Sequence, residues 1–141
     1  MVKEATAGYS GTPLSRKLGI KEGHRLALLD APDGFERTLG ELPEGVTAQA
    51  VLAGKAPFDV VVAFVTRRAH LERAVPRVRR RMQPAAGFWV AWPKRASGVA
   101  TDVTEDVVRA VALPTGLVDN KVCAIDDTWS GLRLVIRLEN R

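Results

Sequence analysis

Apolar positions along this chain follow two different periods. DVVVAFV, residues 59–65, is an almost unbroken β-branched run. Such a run predicts a strand covered on both faces, as in a parallel sheet. HRLALLDAP, 24–32, reads as a buried strand ending at Pro32, and GFWVAW, 87–92, as another. VTAQAVL, 46–52, carries a weaker strand pattern. Between these runs the period lengthens. Leu71, Val75, Val78 and Met82 fall on one stripe and predict a helix from about Thr66 to Met82, kinked or restarted at Pro76. Val103, Val107, Val108 and Val111 mark a second apolar face, opened by the Asp-x-x-Glu signal of Asp102 and Glu105 and closed by Pro114 and Gly116.

Shorter signals complete the pattern. Thr12-Pro13 offers a hydroxyl cap followed by a proline at the first helical position, and Leu14 and Leu18 follow at i, i+4 before Gly19. GFERTLGELPEG reads as a short helix or turn. KVCAID, 121–126, and LRLVIRL, 132–138, flank the tight segment DTWSG and predict an antiparallel hairpin. Strand and helix alternate before that hairpin. The order predicts a Rossmann-like α/β fold: a mainly parallel sheet flanked by helices, with a C-terminal antiparallel hairpin. Residues 1–141 read as one domain, with 1–11 as a flexible arm.

Composition narrows the class. At 141 residues and 46% hydrophobic content, the chain can bury a core without disulfides or a structural metal. Cys123 is the single cysteine, so no internal disulfide forms, which fits a reducing cytoplasm. No apolar run is long enough to cross a bilayer, and the first residues lack the apolar segment of a signal peptide. A cytoplasmic, non-membrane protein is expected. The formal net charge is +5, with much of the excess in RRAHLERAVPRVRRR, 67–81.

Ligands of open α/β sheets sit beyond the carboxyl ends of the parallel strands. Asp30-Ala31-Pro32, Thr66-Arg67-Arg68 and Pro93 to Gly98 should emerge there, joined by Asp126 to Ser130 if the strand before them runs parallel. Lys94 and Ser97 are therefore the candidate holders of an anionic small molecule. Asp30, Arg67, Asp126 and Trp129 line the same rim, and Tyr9 and Thr12 belong to an arm that can fold over it. Each has a plainer reading. A Lys-Arg pair after a strand is ordinarily a solvated turn. Asp126-Asp127 can build a turn through side-chain hydrogen bonds, and Trp129 can pack over the rim. His24 and His70 read as surface or strand-edge histidines, and Cys123 as a buried, inert thiol. The arginine-rich helix 67–81 offers an alternative function, capture of an acidic protein or a nucleic acid. No aromatic residues interleave there for base stacking.

Motifs spread over most of the chain carry a resemblance. YSGTPLSRKLGI, WPK-x-x-SG-x-x-TD and GLVD-x-KV-x-AID-x-x-WSGL resemble a family of small bacterial proteins of unknown function. The order of elements is also similar to the core of class I methyltransferases, whose last two strands form a hairpin. That resemblance implies a glycine-rich loop after the first strand for S-adenosylmethionine, and an acidic residue on the second strand for its ribose. Here the loop is LLDAPDGFE, with Gly34 alone, and no acidic residue stands in VTAQAVLAGK. No intact glycine-rich dinucleotide or S-adenosylmethionine loop is present, so a divergent methyltransferase ranks behind a Rossmann-like scaffold with another ligand.

Overall fold

The computed structural model describes residues 12–141; Tyr9 and the predicted arm, 1–11, lie outside the described residues. Six strands form one sheet: β1 (Arg25–Leu29), β2 (Thr47–Gln49), β3 (Phe58–Phe64), β4 (Met82–Pro93), β5 (Leu117–Ala124) and β6 (Trp129–Ile136). Their spatial order is β2-β1-β3-β4-β6-β5. β1 to β4 pair in parallel, and β6 runs antiparallel to both β4 and β5. β5 therefore points the same way as β4. The helices are α1 (Leu14–Lys17), α2 (Phe35–Leu39), α3 (Arg68–Arg79) and α4 (Glu105–Ala112). The expected architecture is present, with a mainly parallel sheet and a closing hairpin.

The unbroken apolar run of β3 has the predicted cause. Val61, Ala63 and Val65 face α3 and α4, where they pack with Leu71, Val75, Val78 and Val108. Val60, Val62 and Phe64 face the other way, against Leu14, Leu18, Phe35 and Leu39 of α1 and α2. Each fully buried side chain of this size contributes about 1.5–3 kcal/mol. Trp89 of β4 is wholly buried in the second layer. Its indole N–H donates to the carbonyl of Leu18 at 3.0 Å, tying the end of α1 to the middle of the sheet.

Several boundaries differ from the sequence reading, each for a local reason. Pro13 is the residue before α1 rather than its first turn; its carbonyl accepts from Arg16 and Lys17 N–H at 3.1 Å. α3 runs through Pro76 as one helix without a restart. The carbonyl that loses its donor belongs to exposed Glu72, where solvent can replace it. α4 is capped by Thr104, whose Oγ1 accepts from Val107 N–H at 3.2 Å, not by Asp102. Asp102 instead caps α3 from a distance, accepting from Arg68 N–H at 2.7 Å. β2 is confined to three residues, and β5 begins at Leu117 and ends before Ile125.

β4 is twice as long as expected. Phe58 pairs with Met82 and Val60 with Gly87, so β4 bulges through Gln83–Ala86 before it settles into register. Pro84 sits in this bulge, where a missing N–H costs the ladder nothing.

Trp89→Phe removes the indole donor, leaves the Leu18 carbonyl without a partner and opens a gap in the layer beneath α1. It should cost about 2–4 kcal/mol, read as a lower urea midpoint at unchanged slope. An unchanged midpoint would show that α1 is held by other contacts.

Candidate functional site at the carboxyl rim

The turns after β1, β3 and β4 all emerge at one edge, as parallel pairing requires. They are stitched to each other. Thr101 Oγ1 donates to Thr66 O at 2.6 Å, and the Lys94 N–H donates to Thr128 O at 2.7 Å. The β3 turn is thus joined to the loop after β4, and that loop's start to the β5–β6 connection.

The predicted site residues divide into two groups. Lys94 is half-buried at the end of β4, and Ser97 lies in the 3₁₀ turn that follows. Ser97 Oγ donates to Lys94 O at 2.7 Å and accepts from Val99 N–H at 3.2 Å, so its hydroxyl shapes the turn. Asp126 Oδ1 accepts from Thr128 and Trp129 N–H, each at 2.8 Å, and builds the hairpin turn. Trp129 stands edge-on to Phe64 at 5.1 Å, and Phe64 edge-on to Phe35 at 4.9 Å. Thr12 lies just before α1, half-buried.

Asp30 and Arg67 belong to the other half of the rim. Asp30 has φ 58°, the one left-handed non-glycine backbone among the described residues. Aspartate tolerates this region better than most residues. The conformation turns its carboxylate toward α3, where Oδ2 lies 3.3 Å from His70 Nε2. Arg67 precedes the first turn of α3. A hollow of about 190 Å³ opens between the ends of β1 and β3 and this helix. Leu29, Ala63, Ala74 and Val78 form its apolar floor, and His70, Arg73 and Arg77 stand along one wall. From sequence, Arg73 and Arg77 belong to the arginine-rich helix 67–81, read as an alternative surface for an acidic protein or a nucleic acid. Their spacing from His70, i+3 and i+7, was the signal that could have joined them.

The arginine-rich segment is not one uniform surface. Arg81 lies beyond α3 and turns inward, donating to Leu52 O at 2.8 Å, Gly54 O at 2.7 Å and Ala56 O at 3.1 Å. With Arg25 it brackets the ring of buried Phe58, at 5.3 and 4.4 Å from the centroid. Arg79 buries its Nε. Arg68 pairs with Glu72 at 2.9 Å. Arg81 is therefore a fastener of the 50–57 loop, unavailable to a partner.

Comparisons with known proteins bear on the fold. No family model and no curated protein matches the chain. Among solved structures it is similar to a SAM-dependent methyltransferase from Aquifex aeolicus, with TM-score 0.61, 15% identity, and 86% and 87% of the two chains covered. It is also similar to a Methanococcus jannaschii fibrillarin, a pre-rRNA processing protein, with TM-score 0.59, 9% identity, and 82% and 67% covered. An Aeropyrum pernix fibrillarin with natively bound S-adenosyl-L-methionine aligns with TM-score 0.56, 15% identity and the same coverage. The chain thus has the Rossmann-like methyltransferase fold.

Whether its residues suit S-adenosylmethionine is decided at the crevice between the turn after β1 and the end of β2. That crevice is about 550 Å³ and is lined by Asp30 to Glu36 and Ala48 to Ala50. Close approach of a cofactor to backbone needs glycines without Cβ atoms. Ala31 and Pro32 stand there instead. Gly34, with φ 80°, is the N-cap of α2, and a Cβ on it would meet Arg37 Nη2 at 3.1 Å rather than open space. No carboxylate follows β2, and the Gln49 amide donates to Val51 O and Ala53 O at 3.1 and 3.2 Å. These residues do not fit the cofactor.

Cys123 is half-buried on β5. Burial raises its thiol pKa, partly offset by Lys17 and then Lys121. The folded chain holds this proton more tightly than the unfolded one. Its contribution to stability is present below an ordinary thiol pKa of about 8.5 and is lost as pH rises through the folded value. Iodoacetamide at pH 8.5 should alkylate the native chain more slowly than the urea-unfolded chain; equal rates would show an unprotected thiolate. A second expectation concerns the loop. Arg81→Met should lower stability by about 2–3 kcal/mol through three lost carbonyl contacts, whereas Arg80→Met should change it by less than about 0.5 kcal/mol. Chemical denaturation of both variants checks the contrast.

Proposed function

We propose that this chain is a Rossmann-like binding domain that holds a phosphate- or carboxylate-bearing small molecule at its carboxyl rim, in the hollow between β1, β3 and α3. The observation that carries this reading is the single wall formed by His70, Arg73 and Arg77 above an apolar floor. Two guanidiniums one helical turn apart offer planar donor forks to an anion's oxygens. Asp30 fixes the imidazole at the mouth. The floor accepts a short apolar portion of the ligand. The volume limits the enclosed part to a group about the size of one phosphate or a small acid. Arg67 and Lys94 extend the positive rim beyond the hollow, and Ser97, Asp126, Trp129 and Thr12 act on the ligand through the loops they shape.

A second reading, methyl transfer, is favoured by the shared fold. The crevice after β1 lacks the groups that would bind S-adenosylmethionine. Heat released on titration with that cofactor would restore the reading.

The leading proposal is tested by thermal shift with inorganic phosphate and small organic acids. A ligand at about 100 times its Kd stabilises by about 2.7 kcal/mol, which raises Tm by several degrees. Arg73→Ala with Arg77→Ala should abolish the rise and leave the ligand-free Tm within about 2 °C, since both side chains are exposed. No stabilisation by any compound, or an equal rise in the double variant, would overturn it.

A further inference from the structure

Away from the rim, toward the amino ends of β3 and β4, the sheet is interrupted twice. The first interruption is the β4 bulge at Gln83–Ala86. The second is in β5, where Asn120 is an extra residue between the pairs Asp119–Leu134 and Lys121–Arg133. Bulges re-aim side chains and open the surface beside them. Here they bound a trough of about 470 Å³ on the α1 face of the sheet.

Arg133 lies across this trough. It shares a face with its register partners Trp89 and Lys121. Its guanidinium occupies the space above Gly87, where a Cβ would fall 2.6 Å from Nε. Nη1 donates to Asn120 Oδ1 at 3.3 Å. It forms no ion pair with a described carboxylate. Burial, and next the charge of Arg141, hold its pKa below the usual arginine value. A partly desolvated cation placed only for stability would have a carboxylate beside it, because taking it from water unpaired is costly.

The surrounding charge has the same sign. Arg16, Lys17 and Lys21 line the trough from the α1 side, and Lys121 from the β5 side. Asp59 is the carboxylate of the lining, and its Oδ2 already accepts from Arg25 N–H at 2.8 Å.

We propose that this trough binds a small molecule carrying two or more phosphate groups. Arg16, Lys17, Lys21, Lys121 and Arg133 all line the trough, more positive charge than one monoanion neutralises. The volume is within the range of small-molecule sites, about 300–1,000 Å³. No Phe, Tyr or Trp lines it, which argues against a nucleic-acid strand held by base stacking. The trough shares no residue with the rim hollow and does not rest on that reading.

The test is calorimetric titration of the full chain with inorganic tripolyphosphate, and separately with a single-stranded oligonucleotide. Tripolyphosphate should bind at the trough. Arg133→Met keeps the apolar stem over Gly87 and should weaken binding about 10- to 100-fold while leaving the ligand-free Tm unchanged or raised. Gly87→Ala, which displaces the guanidinium, and Lys121→Gln should each weaken it by about tenfold or more. Arg73→Ala with Arg77→Ala should leave it unaltered. If Arg133→Met fails to fold, Lys121→Gln decides alone. Absence of tripolyphosphate binding, binding of the oligonucleotide alone, or full affinity in the Arg133 and Lys121 variants would overturn the assignment.

Discussion

A buried indole must place its N–H, and in this protein that requirement joins two distant parts of the chain. Trp89 sits in β4 with no access to water. Its donor takes the carbonyl of Leu18, 71 residues away. That carbonyl is available because α1 stops there, turned by Gly19 at φ 83°. A four-residue helix has no stability of its own. It exists because Leu14 and Leu18 complete the layer over Trp89 and because its last turn is tethered. What α1 contributes to the surface, including the cations of its outer side, depends on this packing and this tether, with a further bond from Ser15 Oγ to Glu41 O at 3.1 Å.

β4 is also where the sheet changes direction. It pairs in parallel with β3 and antiparallel with β6. The carboxyl ends of β1, β3 and β4 therefore form a common rim, while the hairpin brings its turn back to Lys94 through the bond to Thr128. The cross-loop caps finish the arrangement. Asp102 and Thr101 are used for the β3 turn and the start of α3. The helix carrying His70, Arg73 and Arg77 is thereby fixed in register with the end of β1, and Asp30 meets His70 at the junction. A rigid frame of this kind positions polar groups more closely than free loops do.

The strands legible in the sequence are those whose burial is two-sided. DVVVAFV needed no pairing information, because so dense a β-branched run in a short segment favours a strand over a helix. The first half of β4 was hidden, since Gln83-Pro84-Ala85-Ala86 has the composition of a loop and becomes strand only through its bulge. Capping was misread where the acceptor serves a remote helix: Asp102 and Glu105 have a start signal's spacing, but the chain spends Asp102 on Arg68. The rim's position followed from parallel pairing alone. Its composition did not. Ser97 and Asp126 are spent on local turns, and their absorption depends on backbone geometry that spacing does not encode. Arg133 was harder still. In LRLVIRL it is one polar position in a strand, and only its pairing with Trp89, two residues along from Gly87, shows that it lies over a glycine.

The distribution of charge argues for selection by ligands rather than by stability. Arg25 and Arg81 show how this fold uses arginine structurally: both stack on Phe58 and donate to the 52–56 backbone. Arg109 shows the ionic counterpart, bound to Glu105, Asp106 and Asp119. Its pKa is raised first by the hydrogen bond it donates to Glu105 and then by the one it donates to Asp119. Arg133 matches neither pattern. It is partly buried, faces other cations and has its pKa pushed down. A net positive chain gains nothing in folding from gathering cations in a concave trough, since their mutual repulsion opposes the compact state. The anion proposed for the trough would offset that repulsion from outside the chain.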